Sequence, residues 1–365
     1  FNMKAENNDP SVVREMLTMR AFREFNVPAT RTHHAELYLN GTYMGIYLNV
    51  EQIDDEFVQS RFGDDTGNLY KCEYGASMKD DGQIYDDVIY ELKSNEDAND
   101  RSILNHFVEV LNSVSDEVFI SEIEPLFNVD GFIRYLALET LTGHWDGYSY
   151  NQNNFYLYEN PVSGKVEFIP YDTDNTFGVD WIGGDWGTRN VLEWATQRDA
   201  RPLTNRILAQ ESYFIVYKRY LDNLLKGDFS ENYYFPIFEE YNALLDNAVA
   251  RDTHFSLTFG FTYNDFKNSL NQQVADHLPY GLKNYVTTRT TTAREQIGTI
   301  ASVNGFSFES AFIYPNPTNG NEIRLISKNE WSHVIVLDIA GRSRNFTLDK
   351  IDTEHYRLNF NLSSG

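Results

Sequence analysis

The sequence predicts an α+β fold followed by a small C-terminal all-β sandwich. Three patterns support this prediction. Alternating apolar residues near 37–50 and 155–172 indicate β-hairpins, long helical patterns fill residues 200–300, and short alternating strands follow an abrupt change of composition at residue 314. With 365 residues, the chain is long enough for two or three domains.

The N-terminal part combines a helix with a hairpin. Residues 9–24 are predicted to form the helix, because Asp9 is a good N-cap and Pro10 suits the first helical position. The hairpin is predicted to turn at Asn40, which a glycine follows. A third strand is predicted at residues 67–71.

The central part contains helical patterns and a second hairpin. Residues 94–124 are predicted to form one helix with a polar lead-in. A stronger helix is predicted between Asn128, which can cap its start, and Gly143, which can end it. The predicted strands of the hairpin are residues 155–160 and 165–172, joined by the turn PVSG.

Composition and charge exclude several classes of protein. Hydrophobic residues make up 41% of the chain and aromatic residues 15%, which indicates a globular protein rather than a disordered one. No apolar run approaches the ~20 residues that a membrane-spanning helix needs, so no transmembrane segment is predicted. The net charge of −24 argues against a nucleic acid or an anionic membrane as partner, since phosphates would be repelled. A basic protein is the natural complement, although acidity also keeps an exported protein soluble.

Neither the cysteine content nor the N-terminus reports the cellular compartment. Cys72 is the only cysteine, which excludes an intrachain disulfide and a cysteine-based zinc site. The first residues, FNMKAENN, lack the charged and apolar segments of a signal peptide. Any signal peptide is therefore expected to lie upstream of these residues or to have been removed.

The C-terminal residues resemble the sorting domain of type IX secretion substrates. Its hallmarks are a PNPxxG start, a D-x-x-G-R strand end and a later L-S-S-G, which stand at residues 315–320, 338–342 and 362–365. The resemblance implies a sorting domain at residues 304–365 that is truncated, because a further strand would follow Gly365. It also implies a secreted or cell-surface location, with the type IX secretion machinery as a partner.

The central hairpin carries a pattern suited to phosphoryl transfer. This chemistry needs a carboxylate to accept a hydroxyl proton, and carboxylate and amide oxygens to hold the cations that neutralise the phosphates. Asp146 precedes the hairpin, and asparagines stand between Asp146 and the first strand at 151, 153 and 154. Asp172 and Asp174 come directly after the second strand. A hairpin can bring both loops to one end of its sheet.

Four strings of the chain resemble the motifs of the CotH kinase family, first known from a spore-coat protein. They are GTYMGIYLNVEQID, NLYK, HWDGYSYNQNNFYLY and FIPYDTDNTFG, and they occur in the family's order. The resemblance implies a divergent two-lobed protein-kinase-like fold over residues 1–303. Its smaller lobe would cover about residues 1–125 and its helical lobe about 126–303.

The same resemblance implies an activity and its residues. The chain would be an atypical kinase that uses ATP and Mg²⁺ to phosphorylate Ser or Thr of a protein, with a basic and Ser-rich protein as the suggested acceptor. Asp146 would be the catalytic base, Asn154 and Asp172 metal ligands, and Asp174 a helper or alternative ligand. Asn151 is the alternative amide ligand, because it stands five residues after Asp146 as in ordinary kinase loops.

A nucleotide site is expected near the N-terminal hairpin. Lys71 on the third strand would contact the phosphates, and Glu51 would orient it through an ion pair. Gly41 and Gly45 could let backbone amides approach phosphates. A strand-edge lysine in solvent and an ordinary hairpin turn explain these residues as well.

Other interpretations stay open. The DTDN sequence at 172–175 resembles the start of a calcium loop but lacks the glycine and glutamate that an EF-hand needs, which leaves an irregular structural Ca²⁺ site. A non-catalytic surface protein that binds a partner or glycan is the main rival to the kinase. A hydrolase with paired carboxylates is a third possibility. His33, His34 and His144 have no partners at ligand spacing and are expected to be surface or loop histidines.

Overall fold

The computed structural model forms compact units at residues 1–298 and 299–365. It describes residues 2–195, 200–255, 260–298, 312–314, 322–326, 346–350 and 355–360. The predicted boundary between residues 303 and 304 therefore falls inside the second unit.

The first unit mixes helices with short antiparallel strands, which confirms the α+β class. Its strands are β1 (Asn2–Lys4), β2 (Thr32–Leu39), β3 (Thr42–Val50), β4 (Leu69–Cys72), β5 (Tyr90–Leu92), β6 (Phe155–Asn160) and β7 (Lys165–Pro170). Its helices are α1 (Arg14–Glu24), α2 (Asp55–Phe62), α3 (Ser102–Ser113), α4 (Phe119–Ile123), α5 (Val129–Thr142), α6 (Tyr148–Asn151), α7 (Pro202–Ala209), α8 (Glu211–Lys226), α9 (Glu231–Ala250), α10 (Tyr263–Asn268) and α11 (Leu282–Ile297).

The first sheet has the strand order β1-β3-β2 and is antiparallel. Asn40 and Gly41 take φ values of 50° and 81° at the turn between β2 and β3, which confirms the predicted hairpin. Both residues favour the left-handed region that this kind of turn requires. Pairing with β3 places Lys4, the last residue of β1, opposite Leu48.

The second sheet has the strand order β5-β4-β6-β7. Its hairpin β6–β7 confirms the second predicted hairpin, and every residue of β6 is buried. Strand β4 confirms the strand predicted at 67–71, and it pairs with β5 and β6 rather than with the N-terminal hairpin. This sheet therefore combines strands from both sides of residue 125, where the resemblance divides the lobes.

Helix α1 begins later than predicted. The prediction started it at Asp9, whereas the structure starts it at Arg14. Val12 has a φ of 59°, which no helix accommodates. Asp9 still caps the start, because its carboxylate accepts from the amides of Val13 and Arg14 at 2.8 and 2.9 Å.

The single helix predicted at 94–124 is wrong, since α3 and α4 are separate. The chain extends at Val114 (ψ 148°) and ends α3. Arg206 of α7 donates to the carbonyls of Leu111 and Val114 at 3.0 and 2.8 Å, which satisfies acceptors at the helix end. This contact is remote in sequence, and the local pattern could not reveal it.

Helix α5 lies at the centre of the unit and leads to the site. Asn128 caps it through the amide of Gly131, and Gly143 ends it with a φ of 74°, as predicted. Its residues pack against α8, α1 and β7. The helices α7 to α11 confirm the helical character of residues 200–300.

The second unit contains an antiparallel sheet of the order β10-β11-β9-β8. These strands are β8 (Phe312–Tyr314), β9 (Glu322–Ile326), β10 (Phe346–Lys350) and β11 (His355–Phe360). β9 and β11 lie among the short alternating strands that were predicted after residue 314. The three sorting-domain hallmarks lie outside the described residues, and the sandwich and its sorting role stay predictions.

Candidate functional site

The loop after α5 carries Asp146 and ends at β6. We call residues 143–154 the Asp146 loop. It includes the short helix α6, and Asn154 at its end has a φ of 58°. Left-handed backbone suits asparagine better than most residues, so the local sequence agrees with this turn.

Four asparagines converge on the carboxylate of Asp146. The side-chain amides of Asn153, Asn154 and Asn175 donate to it at 3.4, 3.0 and 3.2 Å, and Asn151 donates as well. Burial raises the pKa of Asp146, while the hydrogen bonds from Asn151 and Asn153 oppose the shift. Because each amide donates through nitrogen, its carbonyl oxygen remains available to another partner. The oxygen of Asn175 is buried and has no partner among the described residues.

The loop after β7 meets the Asp146 loop. Tyr171 donates its amide to the carbonyl of Asn154 at 3.0 Å, and Asn175 reaches across to Asp146. Asp172 follows with a φ of 45°. The hairpin β6–β7 thus brings the two sequence-predicted loops together at one end of the second sheet.

A lysine that sequence reasoning missed lies at this junction. Lys4 of β1 donates to Asp172 Oδ1 and to Glu15 Oε2 of α1, both at 2.5 Å. Burial disfavours the ammonium, but Glu15 and Asp172 raise the pKa of Lys4 above its ordinary value. Lys4 is therefore a charged group that links the first sheet, α1 and the loop after β7.

Carboxyl groups outnumber the ammonium around Lys4. Burial raises the pKa of Asp174 to about 7, with Asp172 adding to the shift and Lys4 opposing it. Burial and then Glu15 raise the pKa of Glu6 well above the usual range. Neither carboxyl oxygen of Glu6 has a hydrogen-bond partner in the described part of the chain. Added positive charge would therefore be stabilised here.

The donor set suits a magnesium ion that is bound together with phosphates. Within the described ranges, no group of three or more His, Cys, Asp or Glu side chains is placed to hold a metal ion. Mg²⁺ at nucleotide sites usually takes only one or two carboxylates, and substrate phosphates and water complete its shell. Asp172, Asp174 and the amide oxygens of Asn154 or Asn175 could supply such ligands.

The expected ion pair between Lys71 and Glu51 does not form. Lys71 pairs with Glu73 at 2.5 Å, whereas Glu51 pairs with Arg31 and with Arg61. The reason is topological, because β4 belongs to the second sheet and Glu51 follows β3 of the first. Lys71 nevertheless lies 5.4 Å from the ring centroid of Tyr171, the residue before Asp172.

The two glycines serve the hairpin and its packing. Gly41 lies in the turn with open space around it. At Gly45 (φ 120°) an added Cβ would stand 2.5 Å from the carboxylate of Asp252, which accepts from the amide of Ile46 at 2.9 Å. The carboxylate of Asp252 therefore lies beside Gly45 and takes up the neighbouring amide, and phosphate contact at Gly45 stays a prediction.

His144 lies in the Asp146 loop, as one of the two expected settings for it, but its side chain is buried. Neither ring nitrogen has a hydrogen-bond partner among the described residues, and burial lowers the pKa of this histidine to about 4. His33 and His34 lie on β2, where His34 bonds the carbonyl of Val12 at 2.5 Å.

The sequence signal that could have found the wider site is the run DTDN, in which Asn175 adjoins Asp174.

Comparison with known proteins identifies the family. A family model described as CotH kinase protein matches residues 1–292. The chain belongs to the CotH family. Its motifs at Asp146 and Asp172 both fall inside the matched region.

Curated relatives of this CotH chain come from a bacterium and a fungus. The inner spore coat protein H of Bacillus subtilis is 28% identical over 242 residues, which cover 65% of each chain. Invasin CotH2 of Rhizopus delemar is 27% identical over 193 residues, 49% of this chain and 32% of the relative. Spore coat protein homolog 1 of the same fungus is 27% identical over 189 residues, 49% of this chain and 30% of the relative. The chain spans less than two thirds of each relative's length.

The names of these relatives indicate an outer location for them, in a spore coat or as an invasin. In the CotH chain itself, no helix of the described residues is long and apolar enough to cross a membrane.

Proposed function

We propose that this CotH protein is an exported atypical protein kinase that transfers the γ-phosphate of ATP to Ser or Thr of a secreted or surface protein. One observation supports it above all. The Asp146 loop and the loop carrying Asp172 and Asp174 meet beside Lys4, in a cluster where carboxyl groups exceed the positive charge.

Asp146 would act as the catalytic base. Its carboxylate is held by amide donors of Asn151, Asn153 and Asn154 and could accept the proton of an incoming hydroxyl. The hydrogen bonds stabilise the charged form and so offset the effect of burial.

Asp172 and Asn154 would hold Mg²⁺, with Asp174 or Asn151 as further ligands. The metal would supply positive charge to the transferring phosphates. Asp172 already binds a cationic group, the ammonium of Lys4, so its carboxylate faces a position that a cation can occupy.

Lys4 and Glu15 would take the roles first expected for Lys71 and Glu51. Glu15 is buried and orients the Lys4 ammonium toward Asp172. A lysine oriented by a glutamate is a recurring element of kinase sites. Lys71 remains a second candidate for phosphate contact because it lies beside Tyr171.

Charge, relatives and C-terminal motifs support the substrate and the route of export. The net charge of −24 favours a basic acceptor, here a basic and Ser-rich protein. The spore-coat and invasin relatives favour a surface location. The sorting-domain hallmarks favour the type IX secretion machinery as the export partner.

The test is transfer of labelled phosphate from Mg·ATP to a basic Ser-rich peptide. Asp146→Asn and Asp172→Asn should each lower the transfer rate by about 10²-fold or more, because each removes a group that acts on the reacting atoms. Asp246→Asn is the control, since this carboxylate pairs with Lys267 on the surface of α9 and α10. Transfer at the wild-type rate in either site variant would refute the proposal.

A non-catalytic binding protein is the second candidate. The ion pairs of Lys4 favour it, because the protein's own ammonium already neutralises part of the cluster. Thermal melting with Mg·ATP separates the two. Ligand at about 100 times its Kd stabilises the fold by about 2.7 kcal/mol, so an unchanged melting temperature at saturating nucleotide would favour the binding protein.

A further inference from the structure

A buried glutamate of α5 lies beneath the Asp146 loop. Glu139 is fully buried and stands one turn before the end of the helix. Its carboxylate accepts from the amide of Ser149 at 3.1 Å, from the hydroxyl of Ser149 at 2.5 Å and from the hydroxyl of Tyr135 at 2.8 Å. Two of these three bonds hold one residue of the loop.

The backbone of Glu139 holds the start of the same loop. Its carbonyl accepts from the amide of Gly143, which caps the helix, and from that of His144 at 2.9 Å. One residue thus contacts the loop on both sides of Asp146. The position of Asp146 therefore depends on α5 through two independent attachments.

Close packing around Gly147 strengthens this attachment. An added Cβ at Gly147 would stand 2.6 Å from the hydroxyl of Tyr135 and 2.7 Å from Glu139 Oε1. The loop backbone lies directly on the carboxylate, and a side chain at this position would push it away. Glycine is required here for space and not for its φ, which is −86°.

The geometry points to Glu139 as a positioning residue that holds the Asp146 loop for phosphoryl transfer. This inference rests on the proposed function for its kinetic consequence, but not for its structural one. Glu139 touches neither the predicted metal ligands nor Asp146 in the described contacts, so it would act through the backbone at Gly147 and Ser149. It would fix the direction of the Asp146 carboxylate, and a displacement of about 1 Å at a catalytic group can cost about 10²-fold in rate.

The chain offers a matched control in Glu159 of β6. This glutamate is also buried, and it accepts from the hydroxyl of Tyr70 and the amide of Leu104, both at 3.0 Å. Burial raises the pKa of Glu139 and of Glu159 to about 7 in each case. The two glutamates thus differ mainly in what they hold, since the amide at Glu159 belongs to α3 and not to the loop.

The structural test is amide hydrogen exchange of the full chain. In Glu139→Ala, amides of residues 147–152 should exchange at least about tenfold faster than in the wild type, since an attachment worth about 1.4 kcal/mol or more is removed. In Glu139→Gln the loop should stay protected, because the amide oxygen still accepts from Ser149 and Tyr135. Glu159→Ala should leave the loop unchanged. Ser149→Ala removes only one hydroxyl and replaces Glu139→Ala as the test variant if that protein does not fold. It should speed the exchange of the same loop amides, but less than loss of the whole carboxylate would.

The kinetic test uses Mg·ATP with the same variants. Glu139→Ala should lower kcat by about tenfold or more with a small change in the nucleotide KM, and Glu139→Gln should restore most of it. If the wild-type protein transfers no phosphate, the proposed function is refuted. Hydrogen exchange then still tests whether Glu139 holds the loop. Full loop protection in Glu139→Ala, or equal loosening of the loop in Glu159→Ala, would overturn the inference.

Discussion

Two lysines approach the loop after β7 from different sheets, and their surroundings differ sharply. Lys4 lies between Glu15 and Asp172, with the Glu15 side chain only 1% exposed. Lys71 pairs with Glu73, whose side chain is 40% exposed. The difference shows that proximity to the site does not by itself make a lysine important for stability. Breaking an ion pair costs more unfolding free energy when the partner carboxylate is buried than when it is solvated.

The β1–α1 corner also holds carboxyl groups that are more deeply buried than the Glu73 carboxylate at the β4 edge. Glu6 and Glu15 lie there against one ammonium, and burial is the first cause of the raised pKa of both carboxyl groups. At the β4 edge, water screens Lys71 and Glu73. The free energy of unfolding should therefore change strongly when a charge is removed from the β1–α1 corner, and weakly when one is removed from the β4 edge.

Loss of the Lys4 ammonium should have the largest effect. Lys4→Met leaves the buried Glu15 carboxylate and the partly exposed Asp172 carboxylate without their cation, and leaving a buried charge unpaired typically costs about 3 kcal/mol or more. Urea denaturation should show this loss of unfolding free energy, and phosphoryl transfer should fall with it. A cost no larger than that of the same change at Lys71 would contradict the comparison.

Removal of the ionisable carboxyl group of Glu6 should change how the free energy of unfolding depends on pH. The pKa of Glu6 is raised in the fold, so the folded state keeps this proton above the ordinary value of 4.5, where the unfolded state has lost it. Stability is then lost as pH rises from about 4.5 through the folded pKa, at up to about 1.4 kcal/mol per pH unit for a single group.

Glu6→Gln removes this dependence. The variant should melt above the wild type at pH 8 and close to it at pH 5. Thermal melting across this range measures the difference, with Glu73→Gln at the exposed edge as control. Parallel profiles for wild type and Glu6→Gln would show that Glu6 does not carry a proton in the fold.

Lys71→Met should have the smallest effect. Exposed ion pairs contribute about 0–1 kcal/mol, so urea denaturation should show a change within that range. Its effect on the nucleotide KM is the sharper measurement. A large rise of KM with unchanged stability would assign Lys71 to phosphate contact and would place both lysines in the site.

Local patterns predicted the elements around the site well. The hairpin β6–β7, the cap at Asn128 and the end of α5 at Gly143 depend on neighbouring residues, and all three are confirmed. Convergence of the Asp146 and Asp172 loops also followed from the hairpin, because its two ends are joined by a short turn.

Pairing between distant segments was not predictable in the same way. Strand β1 has three residues, and only its pairing with β3 brings Lys4 to Asp172. Lys71 was the better candidate by motif, yet β4 joined another sheet. Glu139 reads as an ordinary residue of an amphipathic helix, and its role emerges only from contacts with Ser149 and Gly147.

By itself, the sequence determined the family, the α+β class and the order of acidic and amide residues along the chain. Those properties depend on composition, short-range periodicity and the order of motifs along the chain. The tertiary structure alone decided which lysine serves the acidic cluster and which glutamate supports the loop. Both depend on contacts between residues far apart in the chain, and burial at those contacts sets their charge and strength.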